Sequence, residues 1–322
     1  MRAVLPSSRK IPTLGQLPDP AAGPGEVLIE VAATALNRAD LLQLRGAYSP
    51  PAGESLVPGL ECSGQIAALG PGVEGWGVGD RVMALLTGGG HGEQVAVPTG
   101  QLMAVPEGLS LEQAAALPEV GVTAWTNLVH EGQLQAGETV LITGAASGVG
   151  TFSVQLAREL GARVLVAGRS RERLERLREL GASGTVLLGE GFEDEARQVA
   201  GEQVIQLVMD LVGGEHLPRS LKVLENRGRL VLVGLLAGVR AELDLADLMR
   251  RRLVVRGSVL RSRSREEKAQ LVRAFADFAL PRLKDGRLRP VVDRVLPFEE
   301  IASGYESMLA GGLWGKVVLK LR

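Results

Sequence analysis

Over the first third of the chain, apolar positions alternate with polar ones in short runs, at residues 26–31, 64–69, 81–85 and 94–97. Turn signals separate the runs: Pro24-Gly25, Gly70-Pro71-Gly72 and Gly79-Asp80. Alternation punctuated by Gly and Pro predicts a compact antiparallel barrel or sandwich. One helical stretch interrupts it at 37–45, with Leu36, Leu41, Leu42 and Leu44 as apolar positions. The spacing changes at Ser110, an N-capping residue for a helix over 111–117 that Pro118 should stop. A second helix follows over 123–131.

Beyond it, strand and helix patterns alternate. Residues 140–168 read as one βαβ unit. Helices are expected at 171–180, 193–200 and 215–224, with strands at 185–187, 204–210, 229–234 and 253–259. That alternation predicts an α/β doubly wound parallel sheet. A helix over 265–280, with an apolar face through Leu271, Val272, Phe275 and Phe278, opens the tail. Strands at 291–296 and 316–321 flank a further helix and look like barrel material again. The expected organisation is a discontinuous first domain, 1–120 with 260–322, and a dinucleotide domain, 121–259, inserted within it.

Composition narrows the chemistry. The 322 residues carry a net charge of −1, which gives no general attraction to nucleic acid. Only six of the 36 basic residues are lysines, an arginine bias that reads mainly as codon usage or heat adaptation. One cysteine, Cys62, excludes an intramolecular disulfide and a multi-thiolate zinc site, and reads as a small buried hydrophobe. No run approaches the ~18 apolar residues of a membrane span, and no signal-peptide core is evident. A soluble cytoplasmic protein is the expectation.

The turn Gly144-Ala145-Ala146-Ser147-Gly148-Val149-Gly150 departs from G-x-G-x-x-G, yet strand before and helix after make it a phosphate cradle. Cofactor choice is read at the end of the next strand. An NAD site usually has Asp or Glu there for the ribose 2′-hydroxyl. Here Gly168-Arg169-Ser170-Arg171-Glu172-Arg173 has no acid at the strand end. Arg169 or Arg173 suits a 2′-phosphate, so NADP(H) is the expected cofactor.

Several motifs then combine in order along the chain: Ala35-Leu36-Asn37-Arg38-Ala39-Asp40, Gly46-Ala47-Tyr48, Pro58-Gly59-Leu60-Glu61, Gly79-Asp80-Arg81-Val82, Thr123-Ala124, Leu180-Gly181-Ala182, Leu260-Arg261-Ser262-Arg263 and Gly315-Lys316. With the glycine turn they resemble a zinc-independent medium-chain dehydrogenase/reductase of the zeta-crystallin-like NADPH quinone oxidoreductase type. The resemblance implies a GroES-like β-barrel domain joined to a Rossmann domain, with the active site in a cleft. It implies Asn37, Asp40 and Tyr48 as catalytic residues, and a homodimer formed at the Rossmann sheet edge, 253–259. It also implies a cofactor set of Thr123, Ser147, Gly148, Val149, Gly150, Gly168, Arg169, Ser170, Arg173, Gly234, Arg261, Arg263 and Lys316.

Local readings stand beside these: Asn37 as a helix cap, Asp40 as a first-turn acid, Tyr48 as a loop anchor, and the arginines as solvated charges. Zinc-dependent relatives carry Cys within the 37–40 segment and His where Leu60 stands, so no metal is expected. A Tyr that often follows Gly181-Ala182 in the family is missing, which implies weaker NADP affinity. His91, in Gly-Gly-Gly-His-Gly, reads as loop chemistry. The implied activity is hydride transfer from NADPH to a quinone. Reduction of an activated C=C bond and cofactor binding without turnover remain alternatives.

Overall fold

The structure is a computed structural model that describes residues 1–6 and 12–322. In chain order come β1 (Arg2–Val4), β2 (Leu14–Gln16), β3 (Glu26–Ala35), α1 (Arg38–Leu44), β4 (Glu61–Leu69), β5 (Arg81–Leu85), β6 (Gln94–Pro98), β7 (Leu102–Ala104), α2 (Leu111–Ala114) and α3 (Pro118–Trp125). Then follow β8 (Thr139–Thr143), α4 (Gly148–Glu159), β9 (Arg163–Gly168), α5 (Arg171–Arg176), β10 (Gly184–Leu187), α6 (Phe192–Ala200), β11 (Ile205–Asp210), α7 (His216–Val223), β12 (Leu224–Leu232), α8 (Leu245–Arg251) and β13 (Val254–Gly257). The tail holds α9 (Arg265–Lys284), β14 (Val292–Pro297), α10 (Ile301–Ala310) and β15 (Lys316–Lys320). The chain forms two compact units, one of Met1–Val122 with Leu260–Arg322, the other of Thr123–Val259.

In the first unit a seven-stranded sheet runs β14-β15-β3-β4-β5-β7, with β6 also on β3; its pairings are antiparallel except β14 on β15. The alternation in β3 explains its central place. Val27, Ile29, Val31, Ala33 and Ala35 are all fully buried, as a strand packed on one face requires. A second cluster joins Leu41 and Leu44 of α1 to Phe298, Ile301 and Tyr305, which seats α1 against the tail of the chain.

The second unit is a six-stranded parallel sheet in the order β10-β9-β8-β11-β12-β13. Counted from its first strand, the order is 3-2-1-4-5-6, the doubly wound arrangement that binds dinucleotides where the order reverses. Every residue of β8 is buried, because helices cover both faces of such a sheet.

Sequence expectation and structure differ in places. Pro118 opens a helix rather than stopping one, since a first helical position needs no N–H and a fixed φ suits it. The preceding helix is correspondingly short, 111–114, although Ser110 caps it as expected. Helix α8, capped by Asp244, was not expected; it is only seven residues long and none of its residues is fully buried. β12 begins at Leu224, five residues before the expected strand, across Arg227 with φ +66°.

Candidate active site

The cofactor side is built on the second unit. After β8, Gly144 takes φ +63°, a left-handed turn that favours glycine. Ser147 caps α4, accepting from Gly150 N–H at 3.1 Å. The N–H groups of Gly148 and Val149 stay in the first turn, where no intrahelical acceptor exists and an anion is favoured. A Cβ on Gly150 would lie 2.5 Å from the Ala145 backbone, so only glycine lets the helix approach the strand this closely. Gly234 is similar, its Cβ position 2.4 Å from Leu211 O. At the reversal point Thr143 Oγ1 donates to Asp210 Oδ1 at 2.7 Å, and the same oxygen accepts from Val212 and Gly213 N–H. At the end of β9, Arg169 is exposed and Ser170 caps α5 through Arg173 N–H. Turn, helix end and acid-free strand end fit a phosphorylated dinucleotide.

The first unit carries a different kind of centre, a buried polar cluster. Lys316 is 5% exposed, and its three ammonium protons go to Glu61 Oε1 at 2.6 Å, Asn37 Oδ1 at 2.6 Å and Leu36 O at 2.8 Å. The Asn37 amide nitrogen donates to Glu61 Oε1 at 2.9 Å and Ala35 O at 3.2 Å. Asp40, fully buried, reaches back from the third position of α1 to accept Asn37 N–H at 2.7 Å, and takes Gly59 N–H at 3.3 Å. His91 is also fully buried. Thr34 Oγ1 donates its only proton to Glu61 O at 2.6 Å, so His91 Nδ1, 3.1 Å away, is the donor to Thr34. His91 Nε2 faces Asp40 Oδ2 at 3.4 Å without a hydrogen bond, and its ring meets Tyr305 edge-on at 6.1 Å.

Glu119, at the start of α3, donates its N–H to Glu61 Oε2 at 2.9 Å. Its carboxyl is pushed up to about 8, first by burial and then by the charge of Glu61, with a smaller push from Asp40; Lys316 and Arg261 oppose it. Tyr48 is raised as well, by burial first and then by Glu119.

Asn37 and Asp40, expected as catalytic residues, are both buried, one bonded to Lys316 and Glu61, the other closing the first turn of α1. Arg261 was expected near cofactor phosphates. It is 4% exposed and donates to Thr87 O, Tyr48 O and Gln43 Oε1, with its guanidinium 5.2 Å from the Tyr48 ring centre. It therefore braces the Tyr48 loop. Lys316, expected close to the cofactor, bonds Glu61, Asn37 and Leu36 O. Arg263 lies 3.8 Å from Glu267, and Thr123 is 7% exposed with its carbonyl accepting from Asn127. Of the three expected catalytic side chains, Tyr48 alone is not buried.

Sequence reasoning passed over Glu119 and Lys268, and read His91 only as loop chemistry. Lys268 is 3% exposed and bonds Thr87 Oγ1 at 2.7 Å. For Glu119 a signal existed: it is the one charge within the apolar run 114–122. His91 gave none, because its partners lie 51 and 57 positions away.

Comparison with known proteins agrees with this construction. The family model described as alcohol dehydrogenase GroES-like domain matches residues 23–107, and that described as zinc-binding dehydrogenase matches 148–277. The quinone oxidoreductase of Rattus norvegicus is 30% identical over 305 residues, 94% of this chain and 91% of that one. The acryloyl-coenzyme A reductase of Sulfurisphaera tokodaii is 28% identical, covering 98% of each chain. Among solved structures, the quinone oxidoreductase of Thermus thermophilus, also determined in complex with NADPH, is 38% identical with a TM-score of 0.84 over 100% of both chains. An NAD-dependent alcohol dehydrogenase is 31% identical with a TM-score of 0.86, again over 100% of both.

The donor set does not fit the zinc that one of those descriptions implies. The 37–40 segment holds no Cys and position 60 is Leu rather than His, and the Lys316 ammonium already bonds Glu61 Oε1 and Asn37 Oδ1. Burial, with help from Glu61, drives the Cys62 thiol far above its ordinary range, away from the thiolate a metal takes. No group of three or more His, Cys, Asp or Glu able to hold a metal ion occurs among the described residues. With a GroES-like unit and an NAD(P)-binding Rossmann unit, and full-length identity to oxidoreductases of that build, the chain belongs to the medium-chain dehydrogenase/reductase family.

Proposed function

We propose that the protein is an NADPH-dependent reductase of quinones. One observation carries the reading: β9 ends in Gly168-Arg169-Ser170, with Arg169 exposed and no carboxylate to repel a 2′-phosphate. Gly148 and Val149 N–H groups would hold the pyrophosphate, with Ser147, Gly150 and Gly234 shaping the approach. Arg169, Ser170 and Arg173 would take the ribose phosphate, and Thr123 is a further candidate beside the cofactor. NADPH, when bound, supplies a hydride from its nicotinamide. The protein's own task is then orientation and proton supply. A quinone is electrophilic without further polarisation, and Tyr48 offers it an aromatic face and a hydroxyl. The quinone oxidoreductase relatives support this choice of acceptor.

A second reading is reduction of an activated C=C bond, favoured by the relative named acryloyl-coenzyme A reductase. Nicotinamide absorbance, followed with NADPH and with NADH against quinones, enones and one enoyl thioester, separates the two. Preferential oxidation of NADPH by quinones supports the first reading. Turnover of the thioester alone supports the second, and binding without turnover overturns both.

The same reading includes a homodimer paired through β13. That edge strand exposes Val254 and Val255, and Leu235, Leu236, Val239, Leu245 and Met249 are exposed apolar residues of the same unit. An unpaired apolar edge favours pairing with a second copy. Val255→Asp should give a monomer by light scattering; an unchanged mass overturns the pairing.

A further inference from the structure

We propose that Glu119 is the proton donor to the acceptor after hydride transfer. The inference rests on the reductase reading and adds to it the group that completes the reduction.

Asp40, Glu61, His91, Thr34, Tyr305, Lys316, Arg261 and Lys268 are all buried. Glu119 and Tyr48 are the residues of this cluster that are only half-buried, Glu119 with its carboxyl turned inward, so they lie at the margin of the cluster where an acceptor would approach. Asp40 and Glu61 accept hydrogen bonds on both oxygens. No hydrogen bond or ion pair engages the Glu119 carboxyl among the described residues, while its backbone N–H is tied to Glu61. It is a held but unspent acid.

Facing Glu119 are Glu61 from β4, Asp40 from α1, Lys316 from β15, Arg261 ahead of α9, Lys268 on α9 and Tyr48 after α1. Lys316 is bonded to Glu61 and Asn37, and Arg261 to carbonyls and Gln43. Neither cation bonds Glu119. Burial first, and then the charges of Glu61 and Asp40, push its carboxyl up to about 8, which keeps the proton in place at neutral pH.

The step balances. Two electrons and a hydrogen nucleus arrive at the quinone as hydride, leaving an oxyanion. The Glu119 O–H bond breaks, an O–H bond forms at that oxygen, and the hydroquinone leaves. The carboxylate regains a proton from solvent. NADPH is oxidised, the quinone is reduced, and one proton is taken up per turnover.

Infrared difference spectra of the cofactor-free protein should show a protonated carboxylic acid band lost as the pH rises through about 8. The band should be missing in Glu119→Gln. In wild type kcat should fall above that pH. Glu119→Gln should lower kcat by roughly 10²-fold or more and remove the alkaline limb. Glu119→Asp should retain a limb, and unchanged NADPH binding by both variants reports that they fold. A wild type that binds NADPH with the band intact but reduces no acceptor overturns the reductase reading. A wild type that reduces quinones, with Glu119→Gln keeping both rate and limb, overturns the donor role alone. So does a wild type without the band at neutral pH.

Discussion

Replacing Lys316 by Met tests whether the buried cluster is held by one ammonium. Its three protons serve Glu61 Oε1, Asn37 Oδ1 and Leu36 O, and the two charged partners are 5% and 0% exposed. A methionine keeps most of the side-chain volume, so the loss is electrostatic rather than a cavity. Glu61 would keep the donors Asn37 Nδ2 and Glu119 N–H but lose its counter-charge. Truncating one partner of a buried pair costs ~3–5 kcal/mol, because the other charge stays desolvated. At ~2–4 °C per kcal/mol for a domain of this size, Tm should fall by about 6–20 °C.

The double variant Lys316→Met/Glu61→Gln removes both charges and should recover a large part of that loss in a thermal and urea double-mutant cycle. Lys316 also lowers Glu119, so in any Lys316→Met protein that retains turnover the alkaline limb should move to higher pH. A single variant within ~1 kcal/mol of wild type would refute the reasoning, given the magnitude expected for a buried pair. A double variant no more stable than the single one would do the same.

Arg169→Glu should raise the KM for NADPH about ten- to a hundred-fold, from the loss of one charge-assisted bond worth roughly 1.5–3 kcal/mol, and leave NADH unaffected in steady-state assays. Gly150→Ala puts a methyl against the Ala145 backbone, so NADPH affinity should drop and stability fall by ~1–3 kcal/mol in urea unfolding. Tyr48→Phe and Tyr48→Ala divide hydroxyl from ring: activity kept by Phe and lost by Ala assigns the ring, and full activity in both dismisses the residue. Glu119→Gln should flatten the pH dependence of stability. The folded value of about 8 lies above the ordinary 4.5. Its contribution is therefore fully present below about 4.5 and is lost as pH rises through about 8. Urea midpoints at acid and alkaline pH should converge in the variant, and an unchanged slope would contradict this.

Local signals carried much of the fold. The alternation in β3, the Ser110 cap and the glycine turn each depend on residues close in sequence, where propensity and sterics act directly. They made both units legible, together with the parallel sheet. Pro118 misled because one residue type serves both as a helix stop and as a first helical residue. Helix α8 was passed over because its apolar stripe, Leu245, Leu248 and Met249, spans only seven residues, too short for the periodicity to stand out. Asn37 and Asp40, three apart, were legible as a helix start, and that local reading describes the Asp40 bond to Asn37 N–H, whereas the Asn37 side chain is spent on Lys316 and Glu61.

The cluster itself was not legible, for a physical reason. Lys316 meets Asn37 across 279 positions, Glu119 meets Glu61 across 58, and Arg261 meets Gln43 across 218. No periodicity encodes such pairs; only the sheet order, with β15 on β3 and β3 on β4, brings them together. A sequence shows which residues are able to ionise. Whether they do depends on what the fold sets beside them. Asp40, Glu61 and Glu119 are chemically alike, yet Asp40 accepts from the N–H groups of Asn37 and Gly59, and Glu61 takes the Lys316 ammonium. Glu119 has neither partner for its carboxyl, and burial, followed by the charge of Glu61, pushes it up to about 8; that is the proton the proposed mechanism spends.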